Sequence, residues 1–316
     1  MIENVPSRLP SQSPVAVYGA IQFDLSSTIA GRTYRIFIFK PEIPPPPAGF
    51  PVVVVTDGNM TFPLMATVDA TFALTGSAAL IIGVGYATED PSSLFSLRNR
   101  DLTPPTPLSS IEQRPGQPRI KLEDYGGSEL FYLFLTEELR PLIAGAYSVD
   151  PDNQTLYGHS IGGMFTVGVL LKHPESFRNF VASSPSIFWN RRSVLSDLPS
   201  FARKVEAREV APRVLVSVGG KEQAVPTALP PAMTKAIMEK MPKVPSALRN
   251  SIARIFIKRK MLEWRMVDNA RELAKGLQKL KGAPGYSVRF HAFEGEDHLT
   301  ALPASIGRAL TFVLKA

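Results

Sequence analysis

Near the middle of the chain, Thr155-Leu-Tyr-Gly-His-Ser-Ile-Gly-Gly runs from an apolar stretch straight into an amphipathic one, with Gly158 and Gly162 two residues to either side of Ser160. A strand that turns into a helix within one residue brings its backbone into close approach on both flanks. Glycines leave room there, and the turn lifts the serine hydroxyl clear of the chain. Ser160 then sits at a helix N-terminus, where the Ile161 N–H aims at any negative charge growing on a bound carbonyl oxygen. Short Gly/Ser strings also form ordinary flexible turns; the apolar run before this one and the periodic Met164 to Leu171 after it favour the strand–turn–helix unit.

Around this unit the chain alternates. Apolar runs that read as strands recur at Val15 to Phe23, Tyr34 to Phe39, Val52 to Thr56, Ala79 to Val84, Thr155 to Tyr157, Phe180 to Ala182, Val214 to Val218 and Ser287 to Phe293. Ile36 and Ile38 alternate with Phe37 and Phe39 as in a hairpin at a sheet edge, whereas Val52 to Val55 and Leu80 to Ile82 read as strands covered on both faces. Between the runs, Glu129 to Leu142, Gly162 to Lys172, Val267 to Leu280 and Thr300 to Leu314 carry apolar residues at helical spacing. Such alternation implies a parallel sheet with right-handed crossovers. Eight strands with an antiparallel start fit the α/β-hydrolase fold, a mostly parallel sheet flanked by helices. With 316 residues and 44% apolar content, the chain suffices for a single such domain over 1–316.

Three segments break the rhythm. Pro44 to Pro47 reads as a stiff surface connector. Tyr86 to Glu123, with prolines at 91, 104, 105, 107, 115 and 118, reads as a long loop walling a site. Pro226 to Trp264, rich in methionine and proline, reads as a helical insertion, or cap, at 226–264. Charge marks the same place: nine basic residues face two acidic ones between Met233 and Arg265, while the rest of the chain holds 26 of each. A basic excess confined to one element argues against a nucleic-acid-binding domain. Met233, Ile237, Met238 and Met241 share one face there. Two readings of the insertion follow: a cap that favours hydrophobic or anionic esters or makes weak contact with an anionic membrane surface, or a lid packed on the domain with its charges solvated. The absence of cysteine rules out disulfides, thiolate metal sites and a cysteine nucleophile. The first twenty residues carry Pro6, Pro10 and Pro14 without an apolar run of signal-peptide length, so a cytoplasmic location is expected.

A serine hydroxyl needs a base to take its proton as it attacks. Of the four histidines, His159 lies inside the turn and is expected to point away from Ser160, His173 precedes Pro174, and His291 alternates within the last strand. His298 follows that strand in the polar turn Phe293-Glu-Gly-Glu-Asp-His-Leu, and the chain order of serine, acid and histidine selects it. Twelve carboxylates lie between Ser160 and His298; Glu222 directly follows the apolar run Val214 to Val218, at a strand end that would line the active crevice. Its task would be to hold the imidazole tautomer and stabilise the imidazolium, with Glu296 and Asp297 as rivals. A second donor to the oxyanion is expected from the loop after Val52 to Thr56, as the backbone N–H of Asn59 or Met60.

Several stretches together resemble the enterobactin-esterase-like branch of the α/β-hydrolases, a group of esterases with siderophore trilactone hydrolases, feruloyl esterases and relatives of S-formylglutathione hydrolase. They are Thr56-Asp-Gly-Asn-Met, Val84-Gly-Tyr, Arg98-Asn-Arg-Asp-Leu-Thr-Pro, Gly126-Gly-Ser-Glu-Leu-Phe, Phe134-Leu-Thr-Glu-Glu-Leu, Tyr157-Gly-His-Ser-Ile-Gly-Gly-Met-Phe, Ser183-Ser-Pro-Ser-Ile-Phe-Trp and Gly295-Glu-Asp-His, in the family's order over most of the chain. The resemblance implies Ser160 and His298 as catalytic residues and puts the acid on Glu222, though members that use a serine–histidine pair alone leave the acid open. It also implies that Arg98 or Arg100 faces an acidic group of the substrate, the alternative being a salt bridge to Asp101, and that Trp189 lines the acyl or alcohol pocket.

These readings converge on a serine carboxylesterase that hydrolyses short to medium acyl esters through an acyl-Ser160 intermediate. A siderophore trilactone esterase, an acyltransferase to an acceptor other than water, and a binding protein on a hydrolase scaffold are the alternatives. The expected partner is a small-molecule ester, not nucleic acid, and nothing in the sequence calls for a metal or organic cofactor.

Overall fold

The computed structural model describes residues 15–111, 122–224, 245 and 248–315. One eight-stranded sheet organises them: β1 (Ala20–Ser27), β2 (Arg32–Phe39), β3 (Phe50–Val55), β4 (Leu80–Tyr86), β5 (Val149–His159), β6 (Asn179–Ser183), β7 (Arg213–Gly219) and β8 (Ser287–Phe293). In space they run β1-β2-β4-β3-β5-β6-β7-β8. β2 is antiparallel to both β1 and β4, and every other pairing is parallel. All eight expected strands are present. β5 begins six residues earlier than its apolar run because Val149 pairs with Phe50 across an irregularity, leaving Pro151 and Asp152 exposed before the buried stretch.

Alternation along the central strands divides the core into two layers. Val52 and Val54 of β3 face one side with Ile82, Leu156, Phe180 and Val216; Val53 and Val55 face the other with Ile81, Tyr157, Val181 and Leu215. The first layer is covered by α5 (Ile161–Lys172) through Met164 and Leu170, and by a helical stretch through Phe131 and Phe134. That stretch comprises α3 (Ser128–Leu133), a π-helical turn (Phe134–Leu139) and α4 (Arg140–Ala146). The second layer is covered by α1 (Gly58–Ala73) through Phe62 and Met65, and by α9 (Ala301–Leu314) through Ile306 and Leu310. Two further helices, α6 (Leu198–Glu206) and α8 (Met266–Gln278), pack their apolar faces on the first layer.

Part of Tyr86 to Glu123, read from the sequence as irregular, is helical: α2 spans Pro91–Leu102. Asp90 caps it, accepting a hydrogen bond from the Ser93 N–H at 2.8 Å, and Pro91 occupies the first turn. Proline inside the N-terminus of a helix is favourable, so the residue taken as a breaker is a start signal here. Of the insertion at 226–264, α7 (Arg249–Trp264) and Pro245 and Leu248 are described; Met233, Ile237, Met238 and Met241 lie outside the described residues. Among the described residues no helix is long and apolar enough to cross a membrane.

Candidate active site

The carboxyl ends of β5, β7 and β8 carry Ser160, Glu222 and His298 to one place. Ser160 links β5 to α5 with φ 61° and ψ −119°, a strained conformation for a residue with a side chain. Its surroundings enforce it: a Cβ at Gly158 would collide with the Gly162 carbonyl, and one at Gly162 would collide with Thr56 Oγ1. The chain can make this turn only where both flanks are glycine. Ser160 is further pinned by hydrogen bonds from its N–H to the Ser183 carbonyl at 2.9 Å and from the Ser186 N–H to its own carbonyl at 3.0 Å.

His298 Nε2 lies 2.9 Å from Ser160 Oγ, and His298 Nδ1 lies 2.7 Å from Glu222 Oε2. The imidazole is 38% exposed while the Glu222 side chain is fully buried, so solvent and substrate reach the histidine and not the acid. A carboxylate sealed from water is costly unless its lone pairs are met. Here Glu222 Oε1 accepts from the Ser184 hydroxyl at 2.5 Å and from the Gly219 N–H at 2.7 Å, leaving Oε2 for His298. Such an arrangement meets the lone pairs of the acid, holds Nδ1–H towards it and leaves the Nε2 lone pair free for the Ser160 proton. Glu296 is bound through its backbone to Lys221, and Asp297 caps its own turn by accepting from the Leu299 and Thr300 N–H groups; neither contacts the ring Nδ1.

Two of the remaining expectations change, at Met60 and at Arg98. The Met60 N–H already donates to the Asp57 carbonyl at 2.9 Å, because α1 begins at Gly58 and draws Met60 into its first turn. Asn59 turns towards β4, where its side chain bridges the Tyr86 N–H at 2.8 Å and the Tyr86 carbonyl at 2.9 Å. Asp57, beside Thr56, also meets the Ser160 turn: its Oδ2 would lie 3.1 Å from a Cβ on Gly162. Asp57 has φ 56° and ψ 42°, and Arg98 Nε donates to its Oδ1 at 2.7 Å, with the two side chains only 15% and 8% exposed. Arg98 is thus committed to the corner rather than to Asp101, which pairs with Arg32 at 2.9 Å. Asp101 is buried, and burial pushes its carboxyl up to about 6.

The segment after β6 is tied to the loop that follows α2. Trp189 donates from Nε1 to Thr106 Oγ1 at 3.1 Å and its ring meets Tyr125 at 5.5 Å between centroids, which ties the expected pocket residue to the loop after α2. Arg100 is half-buried at the end of α2, its carbonyl accepting from the Gly127 N–H at 2.7 Å. Phe188 stacks on Trp264 at 5.2 Å, so the last residue of α7 touches the segment that carries Ser186, whose Oγ is 3.4 Å from Ser160 Oγ. Three residues that sequence reasoning passed over also belong to the site: Ser184, at φ 44°, which donates to Glu222, and the pair Ser183 and His159 behind His298. The run Ser183-Ser-Pro-Ser marked the place but not the partners. Among the described residues no group of three or more histidines and carboxylates could hold a metal ion.

Comparison with known proteins gives a consistent picture. The model of the family described as "Putative esterase" matches residues 26–248. The chain is 34% identical over 298 residues to ferri-bacillibactin esterase BesA of Bacillus subtilis, covering 92% of this chain and 88% of that protein. It is 31% identical over 274 residues to the siderophore triacetylfusarinine C esterase of Aspergillus fumigatus, covering 83% and 80%. Among solved structures, the BES protein from Bacillus cereus superposes with a TM-score of 0.75 at 27% identity, covering 96% of this chain and 99% of that one. Siderophore hydrolase EstB from Aspergillus nidulans superposes with a TM-score of 0.74 at 25% identity, covering 96% and 98%.

Proposed function

Because this chain belongs to the esterase family and is a carboxylic ester hydrolase, we propose that its substrates are siderophore esters, cleaved through an acyl-Ser160 intermediate. The observation that carries the chemistry is the unbroken line from Ser160 Oγ through His298 to Glu222, at 2.9 and 2.7 Å. The siderophore assignment rests on two relatives whose names state that activity and which align over more than four-fifths of this chain. It takes the place of the short-to-medium acyl carboxylesterase expected from the sequence.

In this reading His298 Nε2 takes the Ser160 proton as Oγ attacks the ester carbonyl. The resulting oxyanion is met by the Ile161 N–H at the start of α5 and by a backbone N–H of the Asp57–Gly58 corner, in place of Met60. The imidazolium, held by Glu222, protonates the departing alkoxide, and the same base then activates water to release the acid. Arg100 and Trp189 are assigned to the substrate wall, an arginine for anionic groups and an aromatic face for planar ones. Arg98 holds the corner through Asp57.

The test is a panel containing a ferric tris-catecholate trilactone, a ferric hydroxamate triester and p-nitrophenyl acetate and butyrate. A kcat/KM at least about a hundredfold higher for one of the siderophores is expected. Preference for the p-nitrophenyl esters would return the assignment to a general carboxylesterase, and turnover of none of them would remove the hydrolase reading for these substrates.

A further inference from the structure

His159 precedes the nucleophile, yet its ring reaches behind the general base. It is 7% exposed; Nε2 lies 3.0 Å from the His298 carbonyl oxygen and Nδ1 lies 3.0 Å from Ser183 Oγ. A carbonyl only accepts, so Nε2 must carry the hydrogen. In the neutral ring Nδ1 is then the acceptor and Ser183 the donor. Burial, together with the neighbouring His298, holds the His159 imidazole down to about 3, so this single tautomer persists at any working pH.

The consequence concerns where the general base can go. Glu222 fixes the His298 ring at Nδ1, but the ring hangs from a turn whose backbone must also stay in place if Nε2 is to serve first Ser160 Oγ and then the leaving group. On the far side, Gly220 N–H and Lys221 N–H bind the Phe293 and Glu296 carbonyls at 2.8 and 2.9 Å and tie the start of the turn to the end of β7. The hydrogen bond from His159 ties the carbonyl of the base residue itself to β5, the strand that bears the nucleophile. The two imidazoles are 4.9 Å apart between centroids, so a neutral partner also spares the transient imidazolium a like charge.

We propose that His159 is a positioning residue: by donating Nε2–H to the His298 carbonyl while its Nδ1 accepts from the Ser183 hydroxyl, it couples the base turn to the nucleophile strand. This inference rests on the assignment of Ser160 and His298 as nucleophile and base. It differs from them in that His159 touches neither substrate nor reacting atoms.

The experiment compares His159→Phe, His159→Gln and Ser183→Ala, with Ser160→Ala as control, in the full chain. Sites are counted by exhaustive fluorophosphonate labelling, so that unfolded protein drops out of kcat. His159→Phe is expected to lower kcat per labelled site by about 10- to 100-fold with KM within about threefold. His159→Gln, whose carboxamide can still donate to the carbonyl, should recover most of that loss, and Ser183→Ala should cost a few-fold. Unchanged kcat per site in His159→Phe, or equal losses in the Phe and Gln variants, would overturn the positioning role. Should His159→Phe label no sites at all, the proposal stands or falls on the Gln and Ser183→Ala measurements. Normal turnover by Ser160→Ala would instead sink the nucleophile assignment beneath it.

Discussion

The protein puts its buried carboxylates in two different situations. Glu222, at the end of β7, is fully buried with three donors around it: the Ser184 hydroxyl, the Gly219 N–H and His298 Nδ1. Asp69, on α1 under the opposite face of the sheet, is equally buried but meets a single donor, the Ala79 N–H, at 3.1 Å from one oxygen and 3.2 Å from the other. Burial therefore pushes the Asp69 carboxyl up to about 7. The fold supplies three donors to the carboxylate that faces His298, whereas Asp69, with one donor in place of three, moves towards neutrality. A similar contrast separates the strand-end centre from its wall. Around Ser160, backbone and side chains interlock across the ends of four strands, β5 to β8. The segment after Trp189 instead passes through three successive left-handed residues, Asn190, Arg191 and Arg192, and is pinned at its end by an exposed Arg192–Glu272 ion pair.

The largest test of that contrast is Ser160→Ala, which should lower turnover of a cleaved ester by on the order of a thousandfold or more. Near-normal rates would mean that the interlocked centre is not where bonds break. Next comes Glu222→Gln, which keeps an oxygen for Ser184 and Gly219 but removes the charge facing His298. A fall in kcat of about 10²- to 10⁴-fold is expected, and a loss smaller than about threefold would show that a serine–histidine pair suffices. At the wall, Trp189→Ala should raise KM for a ferric tris-catecholate by about tenfold while leaving KM for p-nitrophenyl acetate nearly unchanged; equal effects on both would make Trp189 a packing residue only.

The smallest effect is on stability. The folded value of Asp69 lies above its unfolded one, so its contribution favours the fold below the unfolded carboxylate range, near 3.8, and is lost as pH rises through about 7. Asp69→Asn keeps an acceptor for Ala79 and removes that loss. Its Tm should exceed that of the parent by on the order of a few degrees at pH 8 and match it at pH 4. The same gain at both pH values would place the effect in packing rather than in ionisation.

Much of this was legible in the chain. Continuous apolar runs such as Val52 to Val55 located the buried strands, because covering both faces leaves no room for polar alternation. Helices betrayed by a one-sided apolar stripe, such as α8, were equally plain. α1 was missed since its residues are apolar nearly all round and Pro63 sits within it, and α2 since its prolines suggested a loop. Within the site, the glycine spacing around Ser160 and the polar turn at His298 were visible because each is a local backbone requirement. Asn59 and Met60 were selected by loop position alone, and the start of α1 at Gly58 commits the Met60 amide to the Asp57 carbonyl.

Sequence by itself determined the fold class and the turn that presents Ser160, for these follow from periodicity and steric demands acting over a few neighbours; His298 was chosen by its place in chain order after the last strand. Tertiary structure alone decided that Ser184 and Gly219 complete the shell of Glu222, that Arg98 belongs to Asp57, and that His159 reaches the His298 carbonyl. Those contacts join residues from 3 to 139 positions apart, most of them from different loops and elements at the carboxyl edge of the sheet. The pairing order and twist of the sheet set which side chains meet, and no local pattern encodes them.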